Sequence, residues 1–167
     1  MDMFLLSFVF AALWTYLRYH HTKMRRWLFF TGVLGALSLS IKWTGVSFIA
    51  LAGLFATIEA TRMSSLNEVG RIALYLGIIP FAIYLSVFAI HFNILTLSGP
   101  GDAFMTPEFQ KTLIGNSYQD DPTIQPATFM SKFLNLNLEM YRSNQRLTAS
   151  HPYASAWYTW PFMSRPI

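Results

Sequence analysis

Trp27-Leu-Phe-Phe-Thr-Gly-Val-Leu-Gly-Ala-Leu-Ser-Leu-Ser-Ile-Lys42-Trp-Thr-Gly-Val-Ser-Phe-Ile-Ala-Leu-Ala-Gly-Leu-Phe-Ala-Thr-Ile-Glu-Ala60 is the stretch whose reading decides the fold of this chain. It is apolar almost throughout, with Lys42 near its middle. A bilayer core takes about 20 helical residues, so 27–60 is long for one span and short for two. The flanking charges decide between them. Arg18, Lys23, Arg25 and Arg26 precede the stretch, and Arg62 and Arg71 follow it. Basic loops face the cytoplasm. Two loops on one side require an even number of crossings between them. The stretch is therefore expected to form a tight helical hairpin, with its tip Lys42-Trp43-Thr44-Gly45 at the non-cytoplasmic face.

Two more apolar segments flank the hairpin. Residues 3–17 are short for a span, as if an upstream half were missing, and 72–92 alone is comfortably long. A signal peptide is a poor reading of the first, because Asp2 stands where a basic region belongs and no small-residue cleavage site follows. The last span crosses outward and is expected to place 94–167 outside. There, residues 93–126 are rich in Gly, Pro, Asp and Asn, a loop composition. From Thr128 onward, Met130, Phe133, Leu134, Leu138 and Tyr141 recur at helical spacing, with Thr128 as the cap. That pattern predicts an amphipathic helix in the outer interface. The expected architecture is an all-α integral membrane protein of about four transmembrane helices. Residues 1–93 would hold the spans, 94–127 an exterior loop, and 128–167 an interfacial helix leading into a further membrane region cut short at the chain end.

Composition agrees. Hydrophobic residues make up 53% of the 167 and charged residues 12%, where a soluble domain carries about a quarter charged. The net charge of +4 is unevenly placed: seven of the twelve Lys and Arg lie in 1–71, whereas 94–167 sets five against five acidic residues. This is a topology signal and excludes a nucleic-acid footprint. With no cysteine, a disulfide framework and thiolate metal ligation are excluded too.

Several residues are candidates for chemistry. Lys42 in an apolar hairpin is costly; it either contacts a lipid-borne phosphate or reaches the headgroups beside an anchoring Trp43. Asp102, in Ser98-Gly-Pro-Gly-Asp102, is either a fixed carboxylate for proton or hydroxyl handling or a simple turn residue. Gln110, among Phe104, Met105 and Phe109, suits carbohydrate recognition, since rings cover sugar C–H faces and amides take hydroxyls. The terminal strip packs His151, Tyr153, Trp157, Trp160 and Arg165 together. His151 offers proton transfer, Tyr153 and Trp157 amphipathic rings for a wet–oily boundary, and Arg165 a bidentate phosphate contact. Plainer roles are open for each: a structural hydrogen bond for His151 and a charged flank for Arg165. His20-His21 has no accompanying ligands and is a weak metal signal, so no metal site is expected.

Three stretches in order resemble the protein O-mannosyltransferase family, the dolichyl-phosphate-mannose–protein mannosyltransferases. They are Gly35 to Gly45 with its Lys-aromatic-x-Gly end; Ser98 through Met105 with Phe109-Gln110 and Leu113-x-Gly115-Asn116; and Phe133 to Met140 with Asn144 to Thr148, His151-Pro-Tyr-x-Ser155 and Trp160-Pro161. The resemblance implies a multi-span glycosyltransferase of the GT-C type. Such an enzyme transfers mannose from a polyprenyl-phosphate carrier to Ser or Thr hydroxyls of proteins and needs membrane lipid but no bound cofactor. It assigns Lys42 and Arg165 to the carrier phosphate, and Asp102, Gln110, His151 and Tyr153 to donor or acceptor handling. Other expectations are a transferase acting on a glycolipid or glycan, or a non-catalytic membrane fragment. The family's exterior acidic pair has no counterpart here, so the chain by itself is expected to be inactive. The short step from Asn116 to Thr128 leaves no room for the β-trefoil insert of eukaryotic members. That points to a prokaryotic type in the plasma membrane, with the endoplasmic reticulum as the site if the protein is eukaryotic.

Overall fold

The computed structural model describes residues 2–62, 64–146 and 158. The chain divides into two compact units, Met1–Leu95 and Thr96–Ile167. Among the described residues there is no β-strand beyond one isolated parallel bridge, Leu97 to Ile114.

Among its described residues the first unit is helical apart from short connections. Helix α1 covers Asp2–Thr22, α2 Arg25–Ile41, α3 Val46–Arg62, α4 Leu66–Ala73 and α5 Ile79–Ile94. The expected hairpin is α2 and α3, joined through a 3-10 turn at Trp43–Gly45. The turn is tight because the Lys42 N–H donates to the Ser38 carbonyl at 3.2 Å and that of Gly45 to the Lys42 carbonyl at 2.9 Å. Gly45 lies flat on the end of α2. A Cβ there would come within 2.5 Å of the Ser38 carbonyl carbon and 2.6 Å of the Leu39 nitrogen, so the close turn depends on glycine.

The first and last spans run longer than the sequence suggests. Helix α1 continues through Arg18 to Thr22 because nothing breaks it before Lys23. That residue adopts a left-handed φ of 54° and donates to the Tyr19 carbonyl at 2.7 Å, a common helix ending. The last span begins early because Ser65 caps α4 by accepting from the Glu68 amide at 3.3 Å. It then passes through a π turn, Leu74–Ile78, into α5. The π turn sits just before Pro80, which cannot donate to the carbonyl four residues back. By length and composition, Trp43–Arg62 and Leu66–Ile94 can each cross a membrane.

Small residues bring these helices together. Helix α3 buries Ile49, Ala52, Ala56 and Ala60 along one stripe, facing Tyr19, Leu28, Ile72 and Leu76. Where α2 crosses the π turn, a Cβ on Gly32 would lie 1.9 Å from the Tyr75 carbonyl oxygen. Close backbone approach over small residues is how helices pack where lipid removes the hydrophobic drive between them. Thr15 and Thr31, both buried, hydrogen-bond across α1 and α2 at 3.0 Å. The outward faces carry Phe4, Phe10, Leu51, Leu54, Phe55, Phe81 and Ile90, all exposed. An apolar surface of that extent around fully helical backbone belongs in a bilayer, and this is a membrane protein.

The second unit is loop followed by helix. Its loop is more ordered than its composition predicts: a 3-10 turn at Asp102–Phe104 and a short α6, Pro107–Gln110, started by Pro107. Helix α7, Phe129–Gln145, begins as expected at Thr128, whose hydroxyl accepts from the Ser131 amide at 3.3 Å. It buries Phe133 and Glu139.

Candidate functional site

At the tip of the helical unit, Lys42 lies between α2 and the 3-10 turn in extended conformation. Its ammonium meets the Asp2 carboxylate at 3.3 Å, with both side chains more than half exposed. The antiparallel run of α1 and α2 brings the two together, 40 residues apart in sequence. An exposed pair of this kind contributes about 0–1 kcal/mol, so Asp2 holds Lys42 loosely and a stronger anion can replace it. Beside it, the Trp43 indole N–H donates to the Tyr84 hydroxyl at 2.9 Å. Tyr84 heads an aromatic row on α5, 4.9 Å from Phe88, which in turn lies 6.3 Å from His91 and 6.0 Å from Phe92. The tip thus carries a lysine with an exchangeable counter-charge and, next in sequence, an indole hydrogen-bonded to the aromatic row of α5.

In the second unit, Asp102 organises its loop. Its Oδ2 accepts from the Ser98 hydroxyl at 2.5 Å and the Gly99 amide at 2.7 Å, and the Asn116 side-chain amide lies 3.4 Å away. The Ser98 hydroxyl, the Gly99 amide and Asn116 together hold the Asp102 carboxyl below the usual aspartate range. Its other oxygen, Oδ1, accepts no hydrogen bond from a described residue. Asn116 also reaches the Gln110 Oε1 at 3.3 Å, while Gln110 donates to the Met105 carbonyl at 2.8 Å. Asp102 and Gln110 are thereby joined through Asn116, the residue that reading by type left without a role. Its position just after a glycine-ended turn was the available signal.

A shallow groove of about 390 Å³ opens nearby between Phe104 and Met105 on one side and Leu136, Met140 and Asn144 of α7 on the other. Glu139 lies at its floor, 7% exposed, with Arg142 at 2.6 Å and Arg146 at 3.8 Å neutralising it.

Of the sequence candidates, Lys42 and Trp43 stand at the tip of one unit with separate partners, and Asp102 and Gln110 are joined through Asn116 in the other. His151, Tyr153, Trp157 and Arg165 lie outside the described residues. Asp2 and Tyr84, the side-chain partners of Lys42 and Trp43, were not found from sequence, because both contacts are made between helices.

A family model described as dolichyl-phosphate-mannose-protein mannosyltransferase matches residues 1–96, and one described as the C-terminal four-transmembrane region of protein-O-mannosyltransferase matches 129–167. The Saccharomyces cerevisiae protein named dolichyl-phosphate-mannose–protein mannosyltransferase 4 is 34% identical over 131 residues, which is 68% of this chain and 17% of that protein. Protein O-mannosyl-transferase 2 of Danio rerio is 31% identical over 144 residues, 81% of this chain and 18% of its own length. A mannosyltransferase 4 of Schizosaccharomyces pombe is 36% identical over 169 residues, 91% and 21% respectively. The chain spans about a fifth of the length of these relatives. No solved structure matches it. The chain belongs to the dolichyl-phosphate-mannose–protein mannosyltransferase family.

Proposed function

We propose that this chain forms part of a membrane glycosyltransferase that moves mannose from a polyprenyl-phosphate carrier to Ser or Thr hydroxyls of proteins. The observation that carries this reading is the ordered family match, 1–96 followed by 129–167. The names of the Saccharomyces cerevisiae and Schizosaccharomyces pombe relatives state the donor and the protein acceptor.

In the transfer, the acceptor oxygen bonds to the mannose anomeric carbon as the bond from that carbon to the phosphate oxygen breaks. The acceptor proton passes to a carboxylate, and the phosphate leaves on its lipid carrying extra negative charge. A cation that binds this growing charge more tightly than the starting diester accelerates the step. Lys42 suits that role: it stands where apolar helices end, and its exposed pair with Asp2 costs little to exchange. We assign the lipid chain to the apolar faces below and the sugar to the aromatic surroundings of Trp43 and Tyr84. The lowered pKa of Asp102 makes it a poor base at neutral pH. Its three donors fit a positioning role instead, fixing Gln110 and the groove beside Phe104 for the acceptor peptide. Arg165, His151, Tyr153 and Trp157 keep the contacts their motif implies. The donor supplies the leaving group, and the transfer needs no resident cofactor.

The relatives named above are eukaryotic, which lends no support to the prokaryotic plasma-membrane expectation. The endoplasmic reticulum membrane is the compartment we propose, with the Lys42 end on the luminal side.

The test is the full-length enzyme in membranes, supplied with polyprenyl-phosphate mannose carrying radiolabel and a Ser/Thr-rich peptide. Label in the peptide, released by base-catalysed elimination, is the expected result. Label confined to glycolipid contradicts the protein acceptor, and no transfer of label contradicts the enzyme class.

A further inference from the structure

The entire net charge of the chain sits at one end of the helical unit. The α1–α2 and α3–α4 turns meet there, since Lys23 bonds Glu59 and Tyr19 contacts Glu68 at 3.5 Å. They gather Arg18, Lys23, Arg25, Arg26, Arg62 and Arg71 against only Glu59 and Glu68, a surplus of four that equals the +4 of the whole chain. At the other end Lys42 and Asp2 cancel, and residues 96–167 balance five cations against five anions. Lys23 is held by Glu59 at 2.5 Å and Arg71 by Glu68. Arg18, Arg25, Arg26 and Arg62 have no carboxylate partner among the described residues.

Two of these arginines are held in a defined way. The Arg18 guanidinium lies 5.9 Å from the Trp14 ring centre and 5.4 Å from that of Trp27, and Arg26 lies 5.3 Å from Trp27. The two indoles meet edge to face at 5.2 Å. Contact with an aromatic ring orients a guanidinium and leaves N–H groups free to grip an oxyanion. Indoles settle at headgroup depth. Trp14 is exposed, as are Phe10, Phe29 and Phe30 on the same two helices. An anion bound here has hydrocarbon beside it, which a soluble phosphate does not need and a phospholipid does.

We propose that Arg18, Arg25 and Arg26, rimmed by Trp14 and Trp27, form a docking site for the phosphate headgroup of an anionic phospholipid in the leaflet bordering this end. The surface lies at the end opposite Lys42, so it is separate from the carrier-phosphate reading above and stands if that reading fails.

The experiment places the purified protein in phosphatidylcholine nanodiscs and titrates in phosphatidylserine carrying a fluorescent headgroup-distal label. Saturable binding that weakens with added salt is expected. Arg25→Gln should weaken it about fivefold, and Arg18→Gln, Arg25→Gln and Arg26→Gln together about a hundredfold. Lys111→Gln, in the other unit, should leave it unchanged. Wild-type binding by the triple variant, an equal loss from Lys111→Gln, or complete competition by millimolar inorganic phosphate each overturns the proposal. If the triple variant loses its helix content, Arg25→Gln alone decides, because its side chain makes no hydrogen bond, ion pair or ring contact with described residues.

Discussion

The two ends of the helical unit are made by the same helices and handle charge in opposite ways. At one end a single lysine meets a single aspartate, both exposed, beside Trp43 and Tyr84. At the other, six Lys and Arg face two glutamates, and four arginines have no acidic partner among the described residues. The hairpin creates the difference: by turning at Lys42 it sends Arg25 and Arg62 to the same end. A neutral, aromatic end with one exchangeable cation is suited to admitting a charged substrate. An end with uncompensated arginines is suited to holding the protein against an anionic surface. The contrast in charge between the two ends thus follows from one backbone feature, the tight turn on Gly45.

Breaking the hairpin should produce the largest effects. The chain contains no cysteine, so Thr22→Cys and Thr44→Cys each provide a label unique within these 167 residues. In sealed microsomes a membrane-impermeant thiol reagent should modify Thr22→Cys and leave Thr44→Cys untouched; equal labelling of both would remove the opposition between the ends. Next comes Gly32→Ala. Its Cβ would lie 1.9 Å from a backbone oxygen that cannot rotate away, so the α2–π-turn crossing must open. A loss of about 3 kcal/mol or more is expected as reduced thermal stability in detergent, and an unchanged melting temperature would show that the crossing is looser than described. Trp43→Phe keeps the ring and removes the hydrogen bond to Tyr84, for a loss of about 1 kcal/mol in the same measurement.

The smallest effect concerns the loop of the second unit. Because the folded Asp102 carboxyl titrates below its unfolded value, it adds stability above the unfolded pKa of about 3.9. That stability is lost as pH falls through the lower, folded pKa. Protection of the Gly99 amide from hydrogen exchange, relative to the unstructured rate, should therefore drop only in strong acid. Asp102→Asn should show the reduced protection already at neutral pH and no change across that window.

Much of this was readable from residue order. The hairpin was legible because basic residues bracket an apolar stretch of awkward length. Helix α7 was legible because Thr128 precedes a periodic run. What escaped was contact between helices: Asp2 against Lys42, Tyr84 against Trp43, and Trp14 with Trp27 around Arg18. None has a signature in spacing, since each depends on which faces of antiparallel helices meet. The π turn escaped for a related reason, as no local pattern distinguishes Leu74–Ile78 from ordinary helix until Gly32 is placed against Tyr75. The Asp102 loop was read as a turn or a catalytic carboxylate, and what residue order did not show is how the carboxylate is held. Three donors converge on one of its oxygens, an arrangement that composition can suggest but not locate.

The Lys42 end is proposed to receive the carrier phosphate. Steady-state transfer by the full-length enzyme, with polyprenyl-phosphate mannose varied at saturating peptide, tests it most directly. Lys42→Ala should lower kcat/KM for the carrier on the order of a hundredfold, and Lys42→Arg should recover much of it. Helix content should remain that of wild type in both variants. Wild-type kcat/KM in Lys42→Ala would contradict the account.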